Sequence, residues 1–199
     1  MKRAIAIVGS YREAGINMQA AREVLAGAEQ AGAQTRLVYL PEVNIEFCTN
    51  CRACMQEPGD APGFCVFKDD MAELLSDCIE ADGIVLASPI NMGGVTAILK
   101  RFVERLAPLG YWPWGKPGPT NRKGVKPKRA VIIASSAAPA FAWRLAGYTA
   151  LPTLRYTAKL LNGQVVCTLK YGMVSMTPTP QLNDKQRSVA QACGRKALQ

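Results

Sequence analysis

Short apolar runs and longer amphipathic stretches take turns along this chain. Residues 3–8 form an apolar run that stops at Gly9, as a buried strand does. Residues 18–30 place Ala20, Val24, Leu25 and Ala28 near one face, which predicts an amphipathic helix ended by Gly32. Four more strands are expected at 35–40, 83–87, 130–134 and 164–169. Helices are expected at 71–80, 95–106, 141–161 (interrupted near Pro152) and 181–197. Asp70 stands at the N-cap position of the helix at 71–80, ahead of an apolar stripe of Met71, Leu74, Leu75, Cys78 and Ile79.

Strands that alternate with helices predict an α/β fold, a parallel sheet covered on both faces. Five strands fit the doubly wound order 2-1-3-4-5, which places a ligand at the carboxyl ends of strands 1 and 3. The 199 residues suit a single domain, 1–199, with a sizeable core, and no internal repeat or second boundary is visible.

The loop after the second strand changes the picture. Cys48, Cys51 and Cys54 are each separated by two residues, and Cys65 follows after a gap of ten. Thiolates in such tight runs hold iron–sulfur clusters, and four-cysteine sites also hold zinc. Zinc ribbons favour two separated C-x-x-C pairs, so the triple run points toward iron–sulfur. A cysteine-rich loop without metal stays open as a third reading. Cys78 on its helix stripe, Cys167 in a strand and Cys193 near the C-terminus all read as structural.

Composition narrows the chemistry. Hydrophobic residues at 49% and charged residues at 20% are those of a soluble globular protein, and no apolar run reaches the ~18 residues of a membrane span. The N-terminal apolar stretch is too short for a signal peptide and runs into a glycine turn, so a cytoplasmic location is expected. In that reducing setting, seven cysteines argue for metal binding, redox work or buried thiols over a disulfide frame. There is no histidine, which removes Ser-His-Asp and Cys-His catalysis, histidine-ligated zinc and Rieske centres. No side chain is assigned a catalytic role, and a bound cofactor is left to carry the chemistry. The net charge is +9, with much of the excess at 116–129. That segment carries no nucleic-acid-reading motif and is expected to be a solvated loop.

Two loops carry candidate chemistry. In Gly9-Ser10-Tyr11-Arg12, a hydroxyl, a guanidinium fork and the N–H groups of the next helix suit a terminal phosphate. Neither G-x-x-x-x-G-K-[ST] nor G-x-G-x-x-G is present there. In Ser88-Pro89-Ile90-Asn91-Met92-Gly93-Gly94, Pro89 stiffens the strand exit, and the paired glycines let a flat ligand approach the backbone.

Taken in order, the Gly9–Arg12 loop with Asn17, the cysteine run, residues 65–71 and residues 81–102 resemble the flavodoxin-like NAD(P)H-dependent FMN reductases. Within that family they resemble the iron–sulfur flavoprotein branch. The match spans residues 3–106, about half the chain. The resemblance implies a flavodoxin-like fold, FMN as cofactor, NAD(P)H as co-substrate and a homodimer or homotetramer. It implies a phosphate loop of Ser10, Arg12, Gly15 and Asn17, with Gly15 in place of a common serine. It implies an isoalloxazine loop of Pro89, Ile90, Asn91, Met92 and Gly93, with Asn91 where many relatives carry an aromatic residue. Ser135 and Ser136 fall where a third flavin loop lies, without its usual glycines. The branch implies a [4Fe–4S] cluster on Cys48, Cys51, Cys54 and Cys65, although the last gap is longer than is typical.

Two functions follow from this resemblance. One is an FMN-dependent NAD(P)H oxidoreductase that passes electrons to a quinone, a flavin, a metal ion or a protein. The other is an electron carrier between a ferredoxin-like donor and an acceptor, a role that suits the +9 charge. Tyr111, Trp112 and Trp114 cluster in one connecting loop and are expected to pack on a second subunit near its flavin.

Overall fold

The structure, a computed structural model, describes residues 1–199. Its strands are β1 (Arg3–Val8), β2 (Gln34–Tyr39), β3 (Gly83–Pro89), β4 (Gly110–Tyr111), β5 (Thr120–Asn121), β6 (Lys128–Ser135) and β7 (Gly163–Tyr171). Five of them make one parallel sheet in the order β2-β1-β3-β6-β7. This is the expected 2-1-3-4-5 order of the flavodoxin-like fold. β4 and β5 form a separate antiparallel ribbon within a region read from sequence as loop.

Five helices, α1 (Ile16–Gln30), α2 (Met71–Glu80), α3 (Ala97–Glu104), α4 (Ala150–Leu160) and α5 (Asp184–Lys196), cover the sheet. Side chains alternate along each strand, and so divide between two cores. Ile5 and Ile7 of β1 pack with Leu74, Phe102 and Leu154 from α2, α3 and α4. Ala4, Ala6 and Val8 join Met18, Val24 and Ala190 from α1 and α5. Both faces are buried, which is why the central strands are apolar through their middles, at residues 4–8, 84–87 and 130–134.

α1 and α5 touch backbone to backbone. A Cβ on Gly194 would lie 1.9 Å from the Val24 carbonyl oxygen, so only glycine fits there. Next to it, Cys193 is joined to Cys167 of β7 by a disulfide. Both residues are structural, as expected, but as a disulfide where composition pointed to buried thiols. Packing of α5 on the sheet brings the two Cα atoms to 5.8 Å, within disulfide reach.

Several element ends also differ from expectation. The helix expected over 141–161 begins only at Ala150, so Pro152 lies in its first turn, where a missing N–H costs nothing. α3 begins at Ala97 because Thr96 caps it: Oγ1 accepts from the Leu99 N–H at 3.3 Å and donates to the Gly9 carbonyl at 2.6 Å. α5 begins at Asp184, behind a reciprocal capping box of Asn183 and Gln186. Asp70 holds the N-cap position of α2, but its side chain makes no capping bond. It accepts from the Asn44 N–H instead, at 2.9 Å, while Asp69 accepts from Met71 at 3.2 Å.

The basic segment is not simply solvated. Arg122 is buried and donates to the carbonyls of Pro108, Gly110, Gly59, Cys54 and Glu57. Lys128 is buried too, and its ammonium donates to the Cys78 and Ile79 carbonyls at 2.9 Å. These carbonyls end α2, where the helix dipole favours a cation. No helix is long and apolar enough to cross a membrane.

Candidate functional site

In a parallel sheet every loop that leaves a carboxyl end must turn back over that edge. Here the loops after β1, β3 and β6 meet around a cleft of about 360 Å³. The β1 loop brings Ser10, Arg12 and Gly15, and the first turn of α1 brings Asn17. The end of β3 and its loop bring Pro89, Ile90 and Asn91, and the end of β6 brings Ser135 and Ser136. Met92 and Gly93 do not line the cleft. They form the tip of a tight turn, with φ of 48° and 82°, closed by backbone bonds between Asn91 and Gly94. Val174 and Pro180, in the loop after β7, do line it. Sequence reasoning missed both, because no motif marks that loop.

The cleft is polar where a core would be apolar. Ser10, Asn17, Ser135 and Ser136 are all buried. Ser10 Oγ accepts from the Arg12 N–H at 3.2 Å and so fixes the β1 loop. Asn17 Nδ2 donates to Ser135 Oγ at 2.6 Å and ties α1 to the end of β6. Asn17 Oδ1 is buried with no partner. An orphaned acceptor of this kind costs about 1–3 kcal/mol, which a ligand donor would recover. α1 starts at Gly15 with no side-chain cap and no acidic residue in its first turn. Its positive end is therefore left for an anion. These features fit FMN: an uncapped helix start and Arg12 for the phosphate, an orphaned acceptor for a polar group, and strand-end backbone beside a flat ring.

A second, smaller pocket of about 40 Å³ is lined by Cys48, Cys51, Cys54 and Cys65 together. No three of these thiols are grouped tightly enough to hold a single metal ion. Zinc would need them within ~4 Å of one another, since each thiolate sits about 2.3 Å from the metal. An iron–sulfur cluster spreads its thiolates around a larger body of iron and sulfide.

Close backbone contact shapes the loop. A Cβ on Gly63 would lie 1.8 Å from the Cys54 carbonyl oxygen, so the ten-residue return passes directly against the cysteine run. Asn50 and Arg52 have φ of 54° and 59°, strained values for non-glycine residues. Arg52 is clamped between two rings, 3.8 Å from the centre of Trp112 and 4.1 Å from that of Trp114. It also donates to the Trp112 carbonyl at 2.6 Å. The aromatic segment therefore packs on the cysteine loop of its own chain, drawn by cation–π contact and a carbonyl acceptor. Trp114 keeps most of its surface exposed in this arrangement, so the packing leaves room for the expected contact with a second subunit.

Arg105 and Asp69 form a bidentate ion pair, at 2.5 and 3.0 Å, with both side chains almost fully buried. Arg105 Nη2 also donates to Cys65 Sγ at 3.5 Å. Sequence reasoning missed Arg105, which reads there as one more cation at a helix end. Burial works against the Asp69 carboxylate, but bonds from Arg105, Glu46 and Met71 outweigh it and hold its pKa below the ordinary aspartate value. Burial, and then the neighbouring Cys65, Cys48 and Cys51, push the Cys54 thiol up to about 11.

A doubly wound sheet with this cleft at its switch point defines a flavodoxin-like α/β protein. The chain belongs to the NADPH-dependent FMN reductase family, whose model matches residues 2–172. It is similar to an iron–sulfur flavoprotein of Archaeoglobus fulgidus, 35% identical over 111 residues, which are 56% of this chain and 48% of that protein. It is similar to an iron–sulfur flavoprotein of Methanocaldococcus jannaschii, 36% identical over 107 residues, 54% of this chain and 53% of that one. The chain spans about half the length of the curated relatives it matches. Among solved structures, an FMN-dependent NADH-azoreductase from Bacillus anthracis, in complex with FMN, shares the fold. Its TM-score is 0.68 over 99% of this chain and 100% of that one, at 13% identity.

Proposed function

We propose that this chain is a flavoprotein oxidoreductase that holds FMN in the cleft of the β1, β3 and β6 loops. NAD(P)H is its electron donor, and a quinone, flavin, metal ion or protein is its acceptor. Bound FMN supplies the hydride and electron chemistry. The chain's own residues bind and orient. Arg12 and the α1 start take the phosphate, Asn17 and Ser135 hold the polar middle, and Pro89, Ile90 and Asn91 flank the ring. The observation that carries this reading is the buried, unpartnered Asn17 Oδ1 beside an uncapped helix start. Titration of the protein with FMN, followed by flavin fluorescence quenching, tests it. Arg12→Ala is expected to weaken binding by about 1.5–3 kcal/mol, the size of a charge-assisted bond. No tight binding by the wild-type chain would sink the reading.

The cysteine pocket favours a second reading in which a [4Fe–4S] cluster on Cys48, Cys51, Cys54 and Cys65 exchanges electrons with a ferredoxin-like partner. What supports it is four thiols around one pocket, with Arg105 donating to Cys65. Anaerobic reconstitution is expected to give about four iron atoms per chain, and Cys51→Ser to abolish them while FMN stays bound. Background iron would leave only the plain reductase. We further infer that residues 1–199 act as one unit, in a homodimer or homotetramer, in the cytoplasm, where five of the seven cysteines remain free.

A further inference from the structure

We propose that a second cleft, sharing Ile90 with the cofactor cleft, binds a planar aromatic anion as the electron acceptor. This cleft measures about 700 Å³ and lies beneath the loop between β6 and α4. Ile90 lines both clefts. The Gly93 carbonyl accepts from the Thr149 N–H at 2.7 Å, which pins the turn after β3 onto the roof of the second cleft. The two spaces are therefore neighbours across one wall. A volume in the range of ~300–1,000 Å³ suits a small organic molecule.

The lining specifies the ligand's chemistry. Phe141, Trp143 and Tyr148 contribute aromatic surface. Trp143 is buried and its Nε1 donates to the Ala138 carbonyl at 3.1 Å, so its ring is fixed in place. Fixed rings favour a flat partner. Arg144, Arg155 and Lys170 supply three positive charges, and no carboxylate lines the cleft. Six of the chain's 24 lysines and arginines find acidic partners: Arg3, Arg36, Lys100, Arg105, Lys126 and Arg187. The three around this cleft form no ion pair. The first turn of α4 also borders the cleft and carries no acidic residue. Three unneutralised cations and a helix start in one concave wall attract an anionic group such as a sulfonate, carboxylate or phosphate.

The proposal rests on the flavin reading for the word acceptor, not for the binding itself. For an anionic quinone the overall exchange balances. NAD(P)H gives a hydride and solvent gives a proton, the quinone leaves as the hydroquinone, and NAD(P)⁺ remains.

The test uses anthraquinone-2-sulfonate and its uncharged counterpart 2-(hydroxymethyl)anthraquinone, titrated by calorimetry into protein with and without FMN. The sulfonate is expected to bind at least about tenfold more tightly. Arg155→Glu with Lys170→Glu, both on the exposed rim, is expected to erase that preference and leave the FMN affinity unchanged. Circular dichroism verifies that the variant folds, and Arg144→Gln gives an independent, smaller loss. Equal affinity for the two anthraquinones overturns the proposal. So does a variant that binds the sulfonate normally but loses affinity for NADPH, because the cleft would then be reading the nucleotide's phosphates. The FMN titration on the same samples reports separately on the flavin reading, and the sulfonate preference in FMN-free protein stands or falls by itself.

Discussion

Arg105 holds Asp69 with two hydrogen bonds and, with the same guanidinium, donates to the Cys65 thiol at 3.5 Å. A buried fixed charge is thereby anchored beside one of four clustered thiols. Removal of the arginine leaves Asp69 buried alone, a loss of about 3–5 kcal/mol for pairs of this kind. Arg105→Met is expected to fall in that range by urea denaturation, and Arg105→Lys to lose less. A cost under about 1 kcal/mol for the methionine variant would mean the pair is not buried as described.

The same pair sets acid stability. The folded pKa of Asp69 lies below its unfolded value, so the ionised form stabilises fully above about pH 5. That contribution is lost as pH falls from about 4 through the folded pKa. Asp69→Asn lacks it from the start. Denaturation midpoints measured from pH 6 to pH 3 are expected to fall more steeply for the wild type than for Asp69→Asn. Parallel curves would contradict the assignment.

Lys128 shifts in the same direction for the opposite reason, because here the charged form is the one penalised. Its ammonium is buried under the end of α2, and burial brings its pKa down to about 8. Between about pH 8 and the unfolded value of about 10.4, the unfolded chain binds a proton that the folded chain does not. Stability from this group therefore rises with pH across that window. The wild type is expected to gain on Lys128→Met from pH 8 to 10 in chemical denaturation. A constant difference would place the lysine in water.

Thiol reactivity separates the cysteines of the metal-free protein. Cys51 is exposed, whereas Cys54 and Cys78 are buried. Burial pushes Cys54 up to about 11 and Cys78 up to about 12. At pH 8 each buried thiol carries a thiolate fraction on the order of 10⁻³ or less, and the thiolate is the nucleophile. Iodoacetamide followed by peptide mass mapping is expected to label Cys51 first, with Cys54 and Cys78 far behind. Labelling of Cys54 alongside Cys51 would show that the clamp of Trp112 and Trp114 on Arg52 does not close the loop.

The parallel sheet was legible because buried strands leave an apolar run and amphipathic helices leave a stripe. Residues 3–8 and 71–80 show both signals, and their ends match the structure. The cofactor cleft was legible as far as loops that follow strands 1 and 3. Val174 and Pro180 reach it only through the course of the chain after β7, which leaves no local pattern. Arg105 and Arg122 were unreadable for a related reason. Their partners are backbone carbonyls and side chains 12 to 68 residues away, and nothing in a local window separates a buried cation from a solvated one. The helix expected over 141–161 forms only from Ala150 onward, because Pro152 marks a helix start here where the sequence read it as a break.

Asn17 gives a test that separates binding from structure. Its side chain both donates to Ser135 and carries a buried oxygen with no donor. Asn17→Ala removes a hydrogen bond that contributes about 1 kcal/mol, and with it an unsatisfied acceptor of comparable cost. These opposing changes leave the FMN-free protein within about 1 kcal/mol of the wild type by urea denaturation. The FMN complex loses the bond that the oxygen accepts from the ligand, so affinity is expected to fall by about tenfold. A purely structural asparagine would do the reverse: the free protein would lose about 2 kcal/mol or more, and fluorescence titration would return an unchanged FMN affinity.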